Sequence, residues 1–315
     1  MSSGSGSAGT GTAVPATILD DVAAPPVVAR TRTELADALA GLPGSRRFVP
    51  TMGALHAGHA ALLATAGPGA ILSIFVNPLQ FGPNEDLDRY PRTFGSDIEI
   101  ATANRVAVVY APTVEEMYPT GTPEVTVDAG SLGSLYEGAA RPGHFDGVLT
   151  VVARLFGQIR PHEAYFGQKD AQQLALIRTM VRDLDMAVRV VEVPTVRESD
   201  GLALSSRNRY LDPEQRRAAL AISRALATGT VDAARATLAA EPRLRLDYCE
   251  LVDPETFGTP RGPLGRLIVA AYAGATRLID NEVVDIVPPL LEERMRGNFR
   301  PAPDPVSPTG SDQEN

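Results

Sequence analysis

The chain has 315 residues, 44% hydrophobic and 21% charged, with a net charge of −9 and one cysteine. That length supports a full core and two domains, and the composition is that of a soluble globular protein. The acidic balance excludes a general nucleic-acid surface, the lone Cys249 excludes an internal disulfide and fits a reducing compartment, and no apolar run reaches membrane-spanning length.

Residues 1–28 are rich in Gly, Ser, Ala, Thr and Pro and read as a disordered tail rather than a signal peptide. A first helix is expected from Thr33, with its hydroxyl as cap, to Gly41. Arg47-Phe48-Val49 then leads into Pro50, which ends a strand, and Thr51-Met52-Gly53 supplies a turn. His56-Ala57-Gly58-His59 opens an alanine- and leucine-rich helical run. A strand, a glycine turn and a helix start aim unpaired backbone N–H groups and the positive end of a helix dipole at one point, which is an anion site. The two histidines share one face of the first helical turn. They serve as anion donors, as local caps, or as half of a metal site that His144 or His162 would have to complete.

The apolar run 70–76 reads as a strand buried on both faces, and Asn77 and Gln80 follow at its carboxyl end. In open α/β sheets that edge holds ligands, although both are also common turn residues. A polar loop over 86–93, a helix over 97–104 and a strand over 106–110 come next. Arg141 sits in a glycine-studded loop before a helix over 148–159, either as a solvated charge or facing an anion. Residues 164–170 repeat the strand, glycine turn and helix. Gly167 and Gln168 form the turn, Lys169 is a phosphate-seeking cation or a surface lysine, Asp170 is the expected N-cap, and Gln172 and Gln173 lie in the first turn.

After a strand over 188–193, Leu204-Ser205-Ser206-Arg207 places two hydroxyls and a guanidinium in a loop able to wrap a polyphosphate. Asp212-Pro213-Glu214-Gln215 is a strong helix start, with helices expected over 216–226 and 231–238. Strands are expected over 246–252, 266–271 and 276–280, and a second disordered tail from 299. The pattern is α/β: a doubly wound parallel sheet over 29–195, then a smaller α+β domain over 196–298.

Seven spaced motifs carry a resemblance: P-T-M-G-A-L-H-A-G-H, S-I-F-V-N-P-L-Q-F, Y-P-R-T, R-P-G-H-F-D-G-V-L-T-V-V, F-G-Q-K-D-A-Q-Q-L, V-P-T-V-R-E-S-D-G-L-A-L-S-S-R-N-R-Y-L and T-R-L-I-D-N. Across about 47–284 the chain resembles the pantoate–β-alanine ligases, within the H-x-G-H nucleotidylyl transferase superfamily. The resemblance implies ATP- and Mg²⁺-dependent condensation of (R)-pantoate with β-alanine through a pantoyl adenylate, releasing AMP and pyrophosphate. It also implies a Rossmann-like N-terminal domain and a cytoplasmic homodimer, with no nucleic-acid or membrane partner.

Carried onto this sequence, ATP lies on Met52, Gly53, Ala54, Leu55, His56, Ala57, Gly58 and His59, with Gly58 beneath the adenine. Gly167, Gln168, Lys169 and Asp170 serve ribose and phosphate, and Val196 and Leu204 complete the nucleotide site. Ser205, Ser206 and Arg207 close over the triphosphate, and the catalytic set is these three with His56, His59 and Lys169. Gln80 and Gln173 hold pantoate, with Asn77 and Arg141 on the substrate side and Asp97 as a metal contact. Departures are Ala57 for Glu, Leu204 for Met, Ser96 for an acidic neighbour of Asp97, and Ala171 for a bulkier residue. Three competing readings are another adenylyltransferase lacking the Gln80 and Gln173 pair, a metal-dependent hydrolase needing a third ligand beside the histidines, and a nucleotide sensor that does not consume ATP.

Overall fold

Residues 24–82, 87 and 90–286 are described by a computed structural model; the expected tail from 299, residues 1–23 of the expected N-terminal tail and most of the loop before Tyr90 lie outside the described residues. The end of the expected N-terminal tail is structured. Val27–Ala29 forms β1, a three-residue edge strand. The first helix, α1 (Arg32–Ala40), is capped by Thr31 rather than Thr33. Thr31 Oγ1 accepts the Glu34 N–H at 3.2 Å, and the Glu34 carboxylate accepts the Thr31 N–H at 3.1 Å. This reciprocal box needs a hydroxyl three residues before an acid, a spacing Thr31 has and Thr33 lacks.

The chain then alternates β2 (Arg47–Thr51), α2 (Ala57–Ala66), β3 (Ile71–Ile74), α3 (Phe94–Ala103) and β4 (Val108–Tyr110). Two single-turn helices, α4 (Val114–Met117) and α5 (Glu137–Ala140), precede α6 (His144–Ile159), β5 (Glu163–Gly167), α7 (Ala171–Asp183) and β6 (Arg189–Val193). The strands order β1-β4-β3-β2-β5-β6, and every pairing is parallel. Successive side chains of a strand point to opposite faces. Phe48 and Phe166 accordingly pack with α1, α6 and α7, whereas Val49 and Tyr165 pack with α2 and α3. The sheet is doubly wound, as its near-continuous apolar strands require. Chain order reverses between β2 and β5, so their carboxyl ends splay into a crevice, the place where such sheets bind ligands.

The second unit contains α8 (Pro213–Leu226), α9 (Val231–Ala239) and an antiparallel sheet of β7 (Leu244–Val252), β8 (Leu264–Ala273) and β9 (Thr276–Asp285). Asp212 Oδ1 accepts the Glu214 and Gln215 N–H groups at 2.9 and 2.8 Å, closing the expected cap on α8. Leu202, Ile222, Leu226, Leu238 and Leu267 form this unit's own core. Ala171 and Ala175 of α7 pack across to Val252, Phe257 and Ile268. Arg277 of β9 binds both carboxylate oxygens of Glu137 on α5, at 2.6 and 2.7 Å, fastening the second unit to the first.

Candidate active site

The crevice is a cavity of about 310 Å³ beyond the carboxyl ends of β2, β3, β5 and β6. Its first wall is the turn between β2 and α2. Gly53 has φ +85°, a left-handed conformation that only glycine adopts without strain. That turn delivers the next two backbone amides to Asp97: Ala54 N–H at 3.1 Å to Oδ2 and Leu55 N–H at 2.8 Å to Oδ1. Thr93 Oγ1 adds a third donation to Oδ1 at 3.1 Å. Asp97 is 1% exposed and does not line the cavity. At this expected metal contact the carboxylate oxygens accept two backbone amides and the Thr93 hydroxyl, and so shape the turn. Gly53, Ala54 and Leu55 frame the cavity without lining it, Ala57 points to solvent, and Met52 lines it.

His56 is the N-cap of α2 and His59 lies in its first turn. Gly58 N–H donates to His56 Nδ1 at 3.1 Å, and His56 N–H donates to His59 Nδ1 at 3.2 Å. An imidazole nitrogen that accepts carries no proton, so each neutral ring holds its hydrogen on Nε2. Burial, with the charges of Lys169 and Arg209, keeps His56 below the ordinary imidazole pKa; burial and the neighbouring His56 push His59 down to about 3. Both are thus neutral donors at pH 7. Capping and ligand donation are not alternatives here, because Nδ1 performs one and leaves Nε2 for the other. A Cβ on Gly58 would lie 2.9 Å from His56 Cε1 and 3.5 Å from Leu204 Cδ2, so the absent side chain makes room for the capping ring.

The next wall begins at Gln80, which ends a 3-10 turn, Pro78–Gln80, after β3. Asn77 is 1% exposed; its Nδ2 donates to Gln80 Oε1 at 3.1 Å and to Gly147 O at 3.0 Å. Its Oδ1 accepts from the Tyr118 hydroxyl at 2.8 Å and the Leu79 N–H at 3.3 Å. With all its bonding directions fixed, Asn77 holds Gln80 Oε1 and leaves the Gln80 NH₂ end for a ligand. Arg141 Nη1 donates to His144 Nε2 at 2.9 Å, so His144 is protonated on Nδ1 and donates to Gln80 O at 2.8 Å. His144 is thus tied to Gln80, and His162 Nδ1 accepts Arg46 N–H at 3.0 Å, away from the cavity. Neither completes a metal site with the histidine pair, and no group of three metal-binding side chains exists among the described residues.

Opposite stands the turn after β5. Gly167, Lys169, Asp170 and Gln173 line the cavity, whereas Gln168 turns its Oε1 to Thr195 N–H at 3.4 Å. Asp170 precedes α7 but makes no side-chain cap, because its carboxylate lies 3.6 Å from Lys169 Nζ. Gln172 faces away from the cavity and holds Glu137 N–H and the Leu132 and Leu135 carbonyls at 2.8–3.0 Å. The roof is Val196 and Leu204 to Arg207. Ser205 Oγ caps the following turn by accepting Arg207 N–H at 3.2 Å. Asn208, which sequence reasoning passes over, fixes that roof through Glu198 Oε1 at 2.6 Å and Ala203 O at 3.0 Å. Tyr118 and the bracing role of His144 escape it as well; the position of His144 at a helix start is the available signal.

Histidine Nε2–H donors and a lysine thus share one cavity with a fixed amide donor, a set suited to a polyphosphate beside a hydroxy acid. Residues 28–283 match the family model described as pantoate-beta-alanine ligase. The chain belongs to that family. A pantothenate synthetase of a Nocardioides species is 53% identical over 283 residues, covering 81% of this chain and 84% of the relative. That of Mycolicibacterium smegmatis is 54% identical over 253 residues, covering 76% and 80%. The crystal structure of the Thermus thermophilus enzyme aligns with TM-score 0.74 at 48% identity, over 81% of this chain and 98% of that one. A Francisella tularensis pantoate-beta-alanine ligase, solved with beta-gamma ATP and beta-alanine, aligns with TM-score 0.70 at 32% identity, over 82% and 97%. This ligase joins pantoate to β-alanine to make pantothenate.

Proposed function

We propose that the cavity drives this condensation with ATP in two steps. A pantoate carboxylate oxygen attacks the α-phosphorus, the bond to the pyrophosphate oxygen breaks, and pyrophosphate leaves with that electron pair. The amine of β-alanine, as free base, then attacks the acyl carbon; the amide bond forms, its surplus proton passes to solvent, and AMP leaves with the former carboxylate oxygen. No protein nucleophile is required. The observation that carries this reading is the pair of Nε2–H donors fixed by backbone caps beside Lys169. Donors prepositioned where phosphate charge builds need no reorganisation during the reaction.

In this reading His56, His59 and Lys169 hold phosphate, and Ser205, Ser206 and Arg207 cover it. Gln80 and Gln173 hold pantoate, with Gln80 also facing β-alanine. Asn77 and Arg141 act by fixing Gln80, through the bonds described above. The Francisella structure's ligands support ATP and β-alanine as occupants. Asp170 is the one carboxylate lining the cavity among the described residues, so Mg²⁺ would be held chiefly by the nucleotide phosphates, supplying charge neutralisation there. The body over 29–195, a covering unit from 196, a homodimer and a cytoplasmic setting belong to the same reading. AMP formation that requires pantoate and β-alanine together tests it. ADP as product, or AMP formed with pantoate omitted, overturns it.

A further inference from the structure

Two buried polar residues and the partly exposed Glu192 link the second unit to the phosphate lysine. Asn281 of β9 is 2% exposed, and its Nδ2 donates to the backbone carbonyls of Gln168 and Lys169, each at 3.0 Å. Its Oδ1 accepts from Arg266 Nη1 of β8 at 2.7 Å, which fixes which end of the amide faces the lysine turn. Arg266 is itself 2% exposed, and its Nη2 donates to Glu192 Oε1 of β6 at 2.9 Å. Arg178 of α7 holds the other Glu192 oxygen at 3.0 Å. A chain of directed bonds therefore runs from the body sheet, through the second unit's sheet, back to the backbone that carries Lys169. The buried Arg266 charge is paired with the Glu192 carboxylate through Nη2, which leaves Nη1 to orient the Asn281 amide.

We propose that Asn281 is a positioning residue for Lys169, which it serves by clamping that residue's own carbonyl from the second unit. This rests on reading Lys169 as the phosphate cation. Lysine is a flexible point charge on a four-carbon stem, so its ammonium is only as well placed as its backbone. A misplacement of about 1 Å at a reacting centre costs on the order of 100-fold in rate. The clamp also explains why the T-R-L-I-D-N stretch ends in asparagine. Aspartate would keep the shape and the Arg266 partner but would have no N–H to give the two carbonyls.

The test compares wild type, Asn281→Asp, Lys169→Ala and the double variant in pantoate-dependent pyrophosphate–ATP exchange, with a thermal midpoint for each. Asn281→Asp should lower the exchange kcat on the order of 10- to 100-fold with the KM for ATP changed by less than about threefold. Its reaction of preformed pantoyl adenylate with β-alanine should stay within about twofold of wild type. In the Lys169→Ala background, Asn281→Asp should add less than about a twofold loss, since residues acting through one another are not additive. Multiplying losses, equal collapse of both half-reactions, or unchanged exchange in Asn281→Asp would each overturn the proposal. If Asn281→Asp does not fold, Asn281→Ser, which keeps one donor, takes its place under the same criteria. Wild-type exchange in Lys169→Ala alone would instead overturn the reading of the site.

Discussion

The His56 and His59 rings lie 4.1 Å apart between centroids, tilted 41°, and each accepts a backbone N–H on Nδ1. Protonating either ring would break a cap and place a charge beside its neighbour. The pKa of His59, about 3, lies below the unfolded value near 6.5. Between those limits the unfolded chain binds a proton that the folded chain refuses, so stability rises with pH across the window and is lost as pH falls through it. Thermal midpoints from pH 4.5 to 8 should show a steeper acid loss for wild type than for His59→Asn. Parallel curves would mean that His59 is not held neutral.

His59→Ala should remove a donor whose value is greatest as charge develops on the phosphates. Loss of one such donor costs on the order of 100- to 1,000-fold in turnover, with a far smaller effect on ATP affinity. Pantoate-dependent exchange between pyrophosphate and ATP measures this. A rate near wild type would remove His59 from the catalytic set.

Much of this site is legible because its chemistry sits in contiguous turns at strand ends. The H-A-G-H start, the Gln80 turn and the Lys169 turn each combine a strand end with polar residues, and the switch between β2 and β5 brings them together. What escapes is long-range pairing. Nothing local in Asp97 says that its partners are Ala54 and Leu55, 43 and 42 residues away. Nor does Asn281 reveal in sequence that it reaches Lys169, 112 residues earlier. The Thr31 cap is legible in its Thr-x-x-Glu spacing. β1 is hidden because three residues between a proline-rich stretch and a helix cap carry almost no periodic signal.

Asp97→Asn separates scaffold from metal ligand. The asparagine side chain would turn an NH₂ toward one of the two backbone amides that now donate to Asp97. One buried donor left unsatisfied costs about 1–3 kcal/mol, which should lower the melting temperature by several degrees. The Mg²⁺ concentration giving half-maximal exchange should stay within about twofold of wild type, because the carboxylate is turned into the loop. A tenfold rise in that concentration with an unchanged melting temperature would return Asp97 to the metal.

The route of one oxygen atom decides between two ways of spending ATP. In an acyl adenylate a pantoate carboxylate oxygen becomes bonded to the α-phosphorus and departs in AMP. In an acyl phosphate the same oxygen would depart in orthophosphate, and the nucleotide product would be ADP. The chain has no G-x-x-x-x-G-K-[ST] loop of the kind that delivers a terminal phosphoryl group. The groups proposed to hold phosphate are instead the fixed histidine pair, Lys169 and the Ser205 to Arg207 turn, which line one cavity. Pantoate carrying heavy oxygen in its carboxylate should therefore give labelled AMP and unlabelled pyrophosphate, read by mass spectrometry of the nucleotide. Label in orthophosphate would overturn the adenylate route even where pantothenate is made.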